Sequence, residues 1–400
     1  MRNVRRTIKK HKATCAELKM RWRRRPSGVT LKARRWAFTG LQWNPWKAEP
    51  IPNEPIFIRA GAMKSIMVIQ LKRIGDVILT TPALRALRKL YPEAQITLLL
   101  DEDSAAIAPA LGSIDEIWVH RRHSSFKLWF DLLRKGFDLC LDFTGNDRSA
   151  FVSFLSTAVR RIGFRFVAKR PGRLWVYTDL VQSPPRERHT IDHYLDLVHS
   201  LGEVDAGGGL TLELPVSVRR SAETLRRELG IAGPYFVVHP GTARPEKYWL
   251  PDRWAIAITH AQQHLRLPCV VTGGRDSAEL RHVSDILARL TDASRVYSLA
   301  GKVDILLSAA MIRDGALFAG VDTAAAHLAS AFARPQLVLF GPTNPFHWHP
   351  RHDSAVVVRA GFAEPLERFE PRQKGYPMRE LSTETVIRGM ETLFKYVKLQ

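Results

Sequence analysis

From Met63 onward, short apolar runs alternate with stretches of helical periodicity. Residues 65–71 (SIMVIQL) predict a buried strand, and residues 77–90 a helix with Val77, Leu84, Leu87 and Leu90 among its apolar positions. Further strands are expected at 96–100, 116–119 and 138–143. Apolar strands spaced by helices predict a parallel sheet covered on both faces. A loop-prone stretch follows, marked by Ser183-Pro184-Pro185 and by the run from Asp205 to Gly209. The rhythm then restarts with a helix at 218–229 and strands at 235–239, 268–272, 316–320 and 336–340. The expected fold class is α/β, with two doubly wound domains in tandem. Ligands of such sheets bind at the carboxyl ends of the strands, here in a cleft between the domains. The final stretch, 383–399, is amphipathic and could pack back across that cleft.

Composition narrows the class. The 400 residues are 45% hydrophobic and 25% charged, as in a soluble protein with two sizeable cores. Cys15, Cys140 and Cys269 are too far apart for a zinc spacing or a disulfide framework, so a reducing cytoplasm is the expected compartment. No apolar run reaches the roughly 18 residues of a membrane span. No secretory signal is expected either, because the first residues lack an apolar core. The net charge is +21, but residues 1–60 hold 16 Lys/Arg against Glu17, Glu49 and Glu54, leaving 44 Lys/Arg and 36 Asp/Glu for the rest. Most of the excess is thus a property of the amino-terminal arm. Such an arm suits an anionic membrane surface or nucleic acid. It reads equally as a solvated extension, or as sequence upstream of a start at Met63.

Four strand ends carry unusual polar residues. After the first strand comes Lys72-Arg73-Ile74-Gly75-Asp76, where Gly75 permits a tight turn. Asp76 suits a helix N-cap, or a carboxylate projecting into the cleft as general base. No GxGxxG fingerprint accompanies it. The second end, from His239 to Trp254, holds Thr242 in a Gly-Thr turn and Lys247 five residues on, an anion cradle and a point charge suited to phosphate. Trp249 and Trp254 are expected to anchor this loop. The third is Thr272-Gly273-Gly274 followed by Glu279, either a ribose ligand or an acid in the first turn of a helix. The fourth runs from Gly320 to His327 through Asp322, Thr323 and three alanines beginning at Ala324. Small residues leave that helix terminus open for a diphosphate. Asp322 would repel one, so it is expected to cap the turn or orient Lys247. Two metal-like patterns, Asp101-Glu102-Asp103 and His347/His349/His352, are expected not to bind metal, because the first lies in a twice-repeated α/β pattern and the second in a Pro-rich loop.

Taken together, RIGDVILTTPALRAL (73–87), HPGTARPEKYWLPDRW (239–254), TGGRDSAE (272–279), LAGK (299–302), GVDTAAAHLA (320–329) and FGPTNP (340–345) resemble the bacterial lipopolysaccharide heptosyltransferases in order and spacing. The resemblance covers about residues 63–395. It implies a GT-B fold: two Rossmann-like domains, with 63–215 binding acceptor, 216–400 binding donor, and 1–62 a basic extension. It further implies inverting transfer of L-glycero-D-manno-heptose from ADP-heptose to the lipid A–Kdo or partial lipopolysaccharide core, with no metal and no cofactor. Carried onto this sequence, Asp76 is the base. Thr242 and Lys247 are diphosphate ligands, Glu279 the ribose ligand, and Asp322, Thr323, Ala324 and His327 the donor-phosphate loop. Arg73, Gly75, Arg148 and Arg161 are the expected acceptor contacts. The chain departs from the family at Ala324, often Gly there, and at Ala243, often Thr or Ser.

Three other functions compete. One is a GT-B transferase with another nucleotide sugar, and another an idle relative that only binds oligosaccharide. The third is a nucleic-acid binder led by the arm, which leaves the strand-end motifs unexplained, so no nucleic acid is expected as partner. A peripheral place on the cytoplasmic face of the inner membrane, through residues 1–62, follows from the arm's charge.

Overall fold

The computed structural model describes residues 63–121 and 126–397. The basic arm and Cys15 lie outside them. Strands β1 (Ser65–Gln70), β2 (Gln95–Asp101), β3 (Glu116–His120), β4 (Leu139–Asp142), β5 (Arg160–Phe164) and β6 (Asp179–Val181) form a parallel sheet of order β3-β2-β1-β4-β5-β6. Strands β7 (Phe236–His239), β8 (Cys269–Val271), β9 (Val296–Ser298), β10 (Leu317–Val321), β11 (Gln336–Phe340) and β12 (Ala355–Arg359) form a second, ordered β12-β11-β10-β7-β8-β9. Both have the doubly wound order, reversing direction at β1/β4 and at β7/β10. The crevice outside those strand ends is where ligands bind. Among the described residues no helix is long and apolar enough to cross a membrane.

The sequence reading located the central strands but not β5, β6, β9 and β12. All four lie at or beside a sheet edge, and β6 and β9 have only three residues each. Strands of three residues carry too few apolar positions to stand out from their flanks, which accounts for β6 and β9.

In the first domain, α1 (Ile74–Leu79) and α2 (Thr81–Leu90) replace the single helix expected at 77–90. Pro82 lacks the N–H that would continue the ladder, and the chain bends at Thr80. Helices α3 (Phe126–Lys135) and α4 (Asp147–Leu155) pack on the sheet face bearing Met67, Ile69 and Cys140. Past the short α5 (Pro171–Leu174), α6 (Thr190–His199) joins α2 on the opposite face with Ile66 and Val68. Residues Leu210, Leu212 and Leu214 of the connecting segment are buried, and Arg85 grips the carbonyls of Ala206, Gly207, Gly208 and Gly209.

The second domain contributes α7 (Val216–Glu228), α8 (Pro251–Leu265), α9 (Ser277–Leu287), α10 (Ile305–Asp314), α11 (Ala324–Ala331) and α12 (Thr383–Phe394). Helix α7 packs on α10. Helix α12 differs from expectation: it lies on β11, β12 and α8 rather than across the cleft. Its stripe Val386, Met390 and Leu393 joins the second core, and Gly389 lets its backbone approach Leu337 and Val358, where a Cβ would sit 2.8 Å from each.

Helices α1 and α11 pack against each other and join the two domains. Val77, Ile78 and Leu79 share one continuous core with Ala325, Ala326, Leu328 and Ala329. The alanines expected to leave room for a ligand therefore serve, at 325 and 326, to let two helices meet.

Candidate functional site

The turn after β1 opens α1 with Arg73 at the N-cap, so Asp76 stands in the first turn and does not cap. Its Oδ1 accepts a hydrogen bond from the Oη of Tyr194 on α6, at 2.7 Å. Tyr194 is fully buried, and burial together with the Asp76 carboxylate holds its hydroxyl protonated well above the usual range. Lys72 Nζ donates to the same Oη at 3.3 Å and lies over the Tyr194 ring. Burial lowers the Lys72 pKa, opposed by Asp76 and Asp142. Asp142, at the end of β4, is buried and accepts from Tyr177, Ser149 and the N–H groups of Thr144 and Gly145. Desolvation still outweighs those bonds and raises its pKa.

Across the cleft, Lys247 Nζ donates to Asp322 Oδ2 at 2.6 Å and to the Asp322 carbonyl at 2.9 Å. Thr343 Oγ1 donates to the same Oδ2 at 2.8 Å. Asp322 therefore orients Lys247, and one of the three ammonium N–H groups is left for a ligand. Thr242 Oγ1 accepts from the Arg244 N–H at 3.2 Å, leaving its own hydrogen to donate. Thr323 precedes α11 with no side-chain cap, its Oγ1 turned to the Val321 carbonyl, so the helix start keeps its positive end uncapped by a side chain.

Glu279, in the first turn of α9, accepts the Gly274 N–H at 2.6 Å. Its carboxylate fills the space a Cβ at Gly241 would need, 2.0 Å from Oε1. Asp276 caps the helix and Glu279 stands in its first turn, where the dipole favours an acid, so the helix position fits both expected readings. Desolvation raises the Glu279 pKa, and burial brings the neighbouring His239, 3.7 Å away, down to about 4.

The two halves meet at Gly75. A Cβ there would stand 3.2 Å from His327 Cδ2 and 3.8 Å from Ala324 Cα. His327 is buried, and burial lowers its pKa, with Asp322 and Asp76 opposing and Lys247 reinforcing the shift. Asp76 from the first domain and the Lys247–Asp322 pair from the second thus act on one imidazole.

The remaining expected residues divide. Arg73 is exposed at the start of α1, beside Asp76. Arg148 is on the same carboxyl edge but bonds Asp101 Oδ2 at 2.5 Å. Arg161 is not brought to the site: at the amino end of β5, its guanidinium binds the carbonyls of Ala158 and Val176. Trp249 and Trp254 are fully buried in edge-to-face contact and anchor their loop, as expected. The metal-like patterns form no cation site among the described residues. Instead the His347 loop is a domain seam: His347 bonds the Arg188 carbonyl, His189 the His349 carbonyl, and Arg351 grips both oxygens of Asp192 at 2.7 Å. Residues Tyr194 and Thr343 were not singled out from sequence, and Lys72 was named only as part of its strand-end cluster. Thr343 lies in the FGPTNP motif, whereas a Tyr in an amphipathic helix carries no local signal.

Residues 125–375 match the family model described as "Glycosyltransferase family 9 (heptosyltransferase)". The chain belongs to that family. It is a glycosyltransferase. Lipopolysaccharide heptosyltransferase 3 of Escherichia coli strain K12 is 26% identical over 330 residues, 80% of this chain and 95% of that protein. The crystal structure of a family 9 glycosyltransferase from Veillonella parvula aligns with TM-score 0.70 at 26% identity, over 83% of this chain and 97% of its own. The E. coli heptosyltransferase WaaC with ADP-2-deoxy-2-fluoro heptose aligns with TM-score 0.63 at 19% identity, over 82% and 99%, and shares the two-domain GT-B fold.

Proposed function

We propose that this glycosyltransferase moves L-glycero-D-manno-heptose from ADP-heptose to the inner core of lipopolysaccharide, with inversion at the anomeric carbon. The observation that carries the reading is the α1–α11 contact, which sets a carboxylate of one domain against the cation and helix start of the other. Relatives named for lipopolysaccharide heptose transfer, and a family structure holding an ADP-heptose analogue, support the choice of sugar and nucleotide.

Asp76 accepts the proton of an acceptor hydroxyl as its oxygen bonds to the anomeric carbon. The bond from that carbon to the ADP oxygen breaks on the opposite face. Tyr194 holds the carboxylate in place, and Lys72 fixes Tyr194. The leaving diphosphate meets the free N–H of Lys247, the Thr242 hydroxyl and the backbone N–H groups at the start of α11. Glu279 is set to accept the ribose hydroxyls. This charge is met by the chain's own groups, so the reading requires no metal ion. Arg73 contacts the anionic acceptor.

Nucleotide-dependent thermal stabilisation tests the donor half. ADP should raise the melting temperature of wild type, UDP and GDP should not, and Lys247→Ala should lose the ADP shift. A selective UDP or GDP shift would discard the sugar nucleotide, and no shift with any of them would overturn the donor site.

A further inference from the structure

The outer face of the first domain is apolar where water should meet it. On α3, Leu128 and Leu132 pack inward, yet Phe126, Phe130 and Leu133 are exposed, Phe126 at 81%. Phe151 and Phe154 of α4 continue the patch, with Trp129 in edge-to-face contact with both Phe126 and Phe151. Ala150, Val167 and Tyr177 seat the 165–177 segment beside α4, and Trp175 of that segment is 76% exposed. Helices α3 and α4 thus present aromatic side chains on one face, and Trp175 is exposed on the neighbouring segment that Arg170 and Arg173 tie to Asp147 at the start of α4. Exposed apolar surface of that extent marks an interaction site.

The charge around it identifies the partner. Residues 121–175 contain 12 Lys/Arg and 4 Asp/Glu, an excess of eight. Residues 61–400 as a whole have 44 against 36, also an excess of eight. Outside the arm, the entire positive excess therefore falls on this one segment. Of its acids, Asp142 is buried and Asp138 accepts the N–H groups of Lys64 and Ser65. Lys135, Arg148 and Arg160 are paired with Glu116, Asp101 and Asp179 from outside the segment, whereas Arg134, Arg165 and Lys169 are exposed with no carboxylate partner among the described residues. Phe, Trp and Leu interleaved with Lys and Arg on a helical surface is the composition that seats at a bilayer interface.

We infer that the α3–α4–Trp175 face docks this enzyme on an anionic lipid bilayer, the aromatic side chains entering the headgroup region and the cations meeting lipid phosphates. The inference rests on the lipid-linked acceptor proposed above. It gives that acceptor a route, because α4 starts where β4 ends, on the carboxyl edge of the sheet that carries Asp76.

The test is co-sedimentation of the full chain with vesicles of phosphatidylcholine alone, or of phosphatidylethanolamine and phosphatidylglycerol at about three to one. Wild type should bind the anionic vesicles. The triple variant Phe126→Gln/Phe130→Gln/Phe154→Gln should bind them at least about tenfold more weakly. Its melting temperature, and its heptosyl transfer to a delipidated core oligosaccharide, should be unchanged. Arg134→Glu/Arg165→Glu/Lys169→Glu should likewise lose the preference for anionic lipid. A triple Phe variant that binds like wild type would overturn the inference, since the arm or another surface would then carry binding. So would a wild type that ignores both vesicle types, or Phe substitutions that abolish self-association but not vesicle binding. Failure of wild type to transfer heptose to the soluble oligosaccharide would instead count against the proposed activity, leaving the vesicle result to stand by itself.

Discussion

The hydroxyl of Tyr194 is 2.7 Å from the Asp76 carboxylate, and both belong to the first domain although 118 residues separate them. A buried donor held well above its usual pKa cannot take the proton that Asp76 receives. It can only orient the carboxylate. Tyr194→Phe should therefore lower kcat about tenfold, in line with the loss of one hydrogen bond to a charged group, and leave the donor KM unchanged. Steady-state kinetics at saturating donor check this, and a KM effect without a kcat effect would assign Tyr194 to binding.

Lys247 and Asp322 form a buried pair, and the variants must separate structure from chemistry. Lys247→Ala leaves an unpaired buried carboxylate and should cost about 3–5 kcal/mol of stability. It should also slow transfer by about 2–4 kcal/mol in the barrier. Adding Asp322→Asn should restore much of the melting temperature but none of the rate. Recovery of both would make the lysine a structural residue only.

Gly241→Ala should displace Glu279, because the new Cβ would fall 2.0 Å from its Oε1. The expected result is a rise in the donor KM of about tenfold, with the smaller change in kcat. Titration calorimetry with ADP gives the direct comparison. Unchanged affinity would remove Glu279 from the nucleotide site.

Acid should destabilise the fold through its histidines. Burial holds His193, His239 and His282 at about 4 rather than 6.5. Between those values the unfolded chain binds protons that the folded chain refuses, so stability is complete above 6.5 and falls as pH drops towards 4. The raised Glu279 and Asp142 carboxyls act in the opposite direction, but they are two groups against three histidines. Melting temperatures measured from pH 7 to pH 4 should decline through this window, and a flat profile would contradict the buried, neutral histidines.

Much of this was legible in the residues. Strand-end polar clusters persist in sequence because each is local: Lys72 to Asp76, Thr242 to Lys247 and Asp322 to His327 each lie within one turn and one helix start. What was not legible depends on distant partners. Arg161 has the charge of an acceptor ligand, but its place at the amino end of β5 turns it to backbone carbonyls. Residues His347 to Arg351 have the composition of a bland loop, yet they join the domains through Arg188, His189 and Asp192. The outward phenylalanines of α3 follow the same helical spacing as core residues, and only the fold tells which face is covered.

The most direct measurement is acceptor-dependent release of ADP from ADP-heptose, by wild type and Asp76→Asn, in the presence of a chelator. Wild type should turn over and be insensitive to the chelator. Asp76→Asn should still bind the sugar nucleotide but react at least about 100-fold more slowly, as expected for loss of a general base. A wild-type rate in Asp76→Asn, or no consumption of ADP-heptose by wild type, would contradict the account.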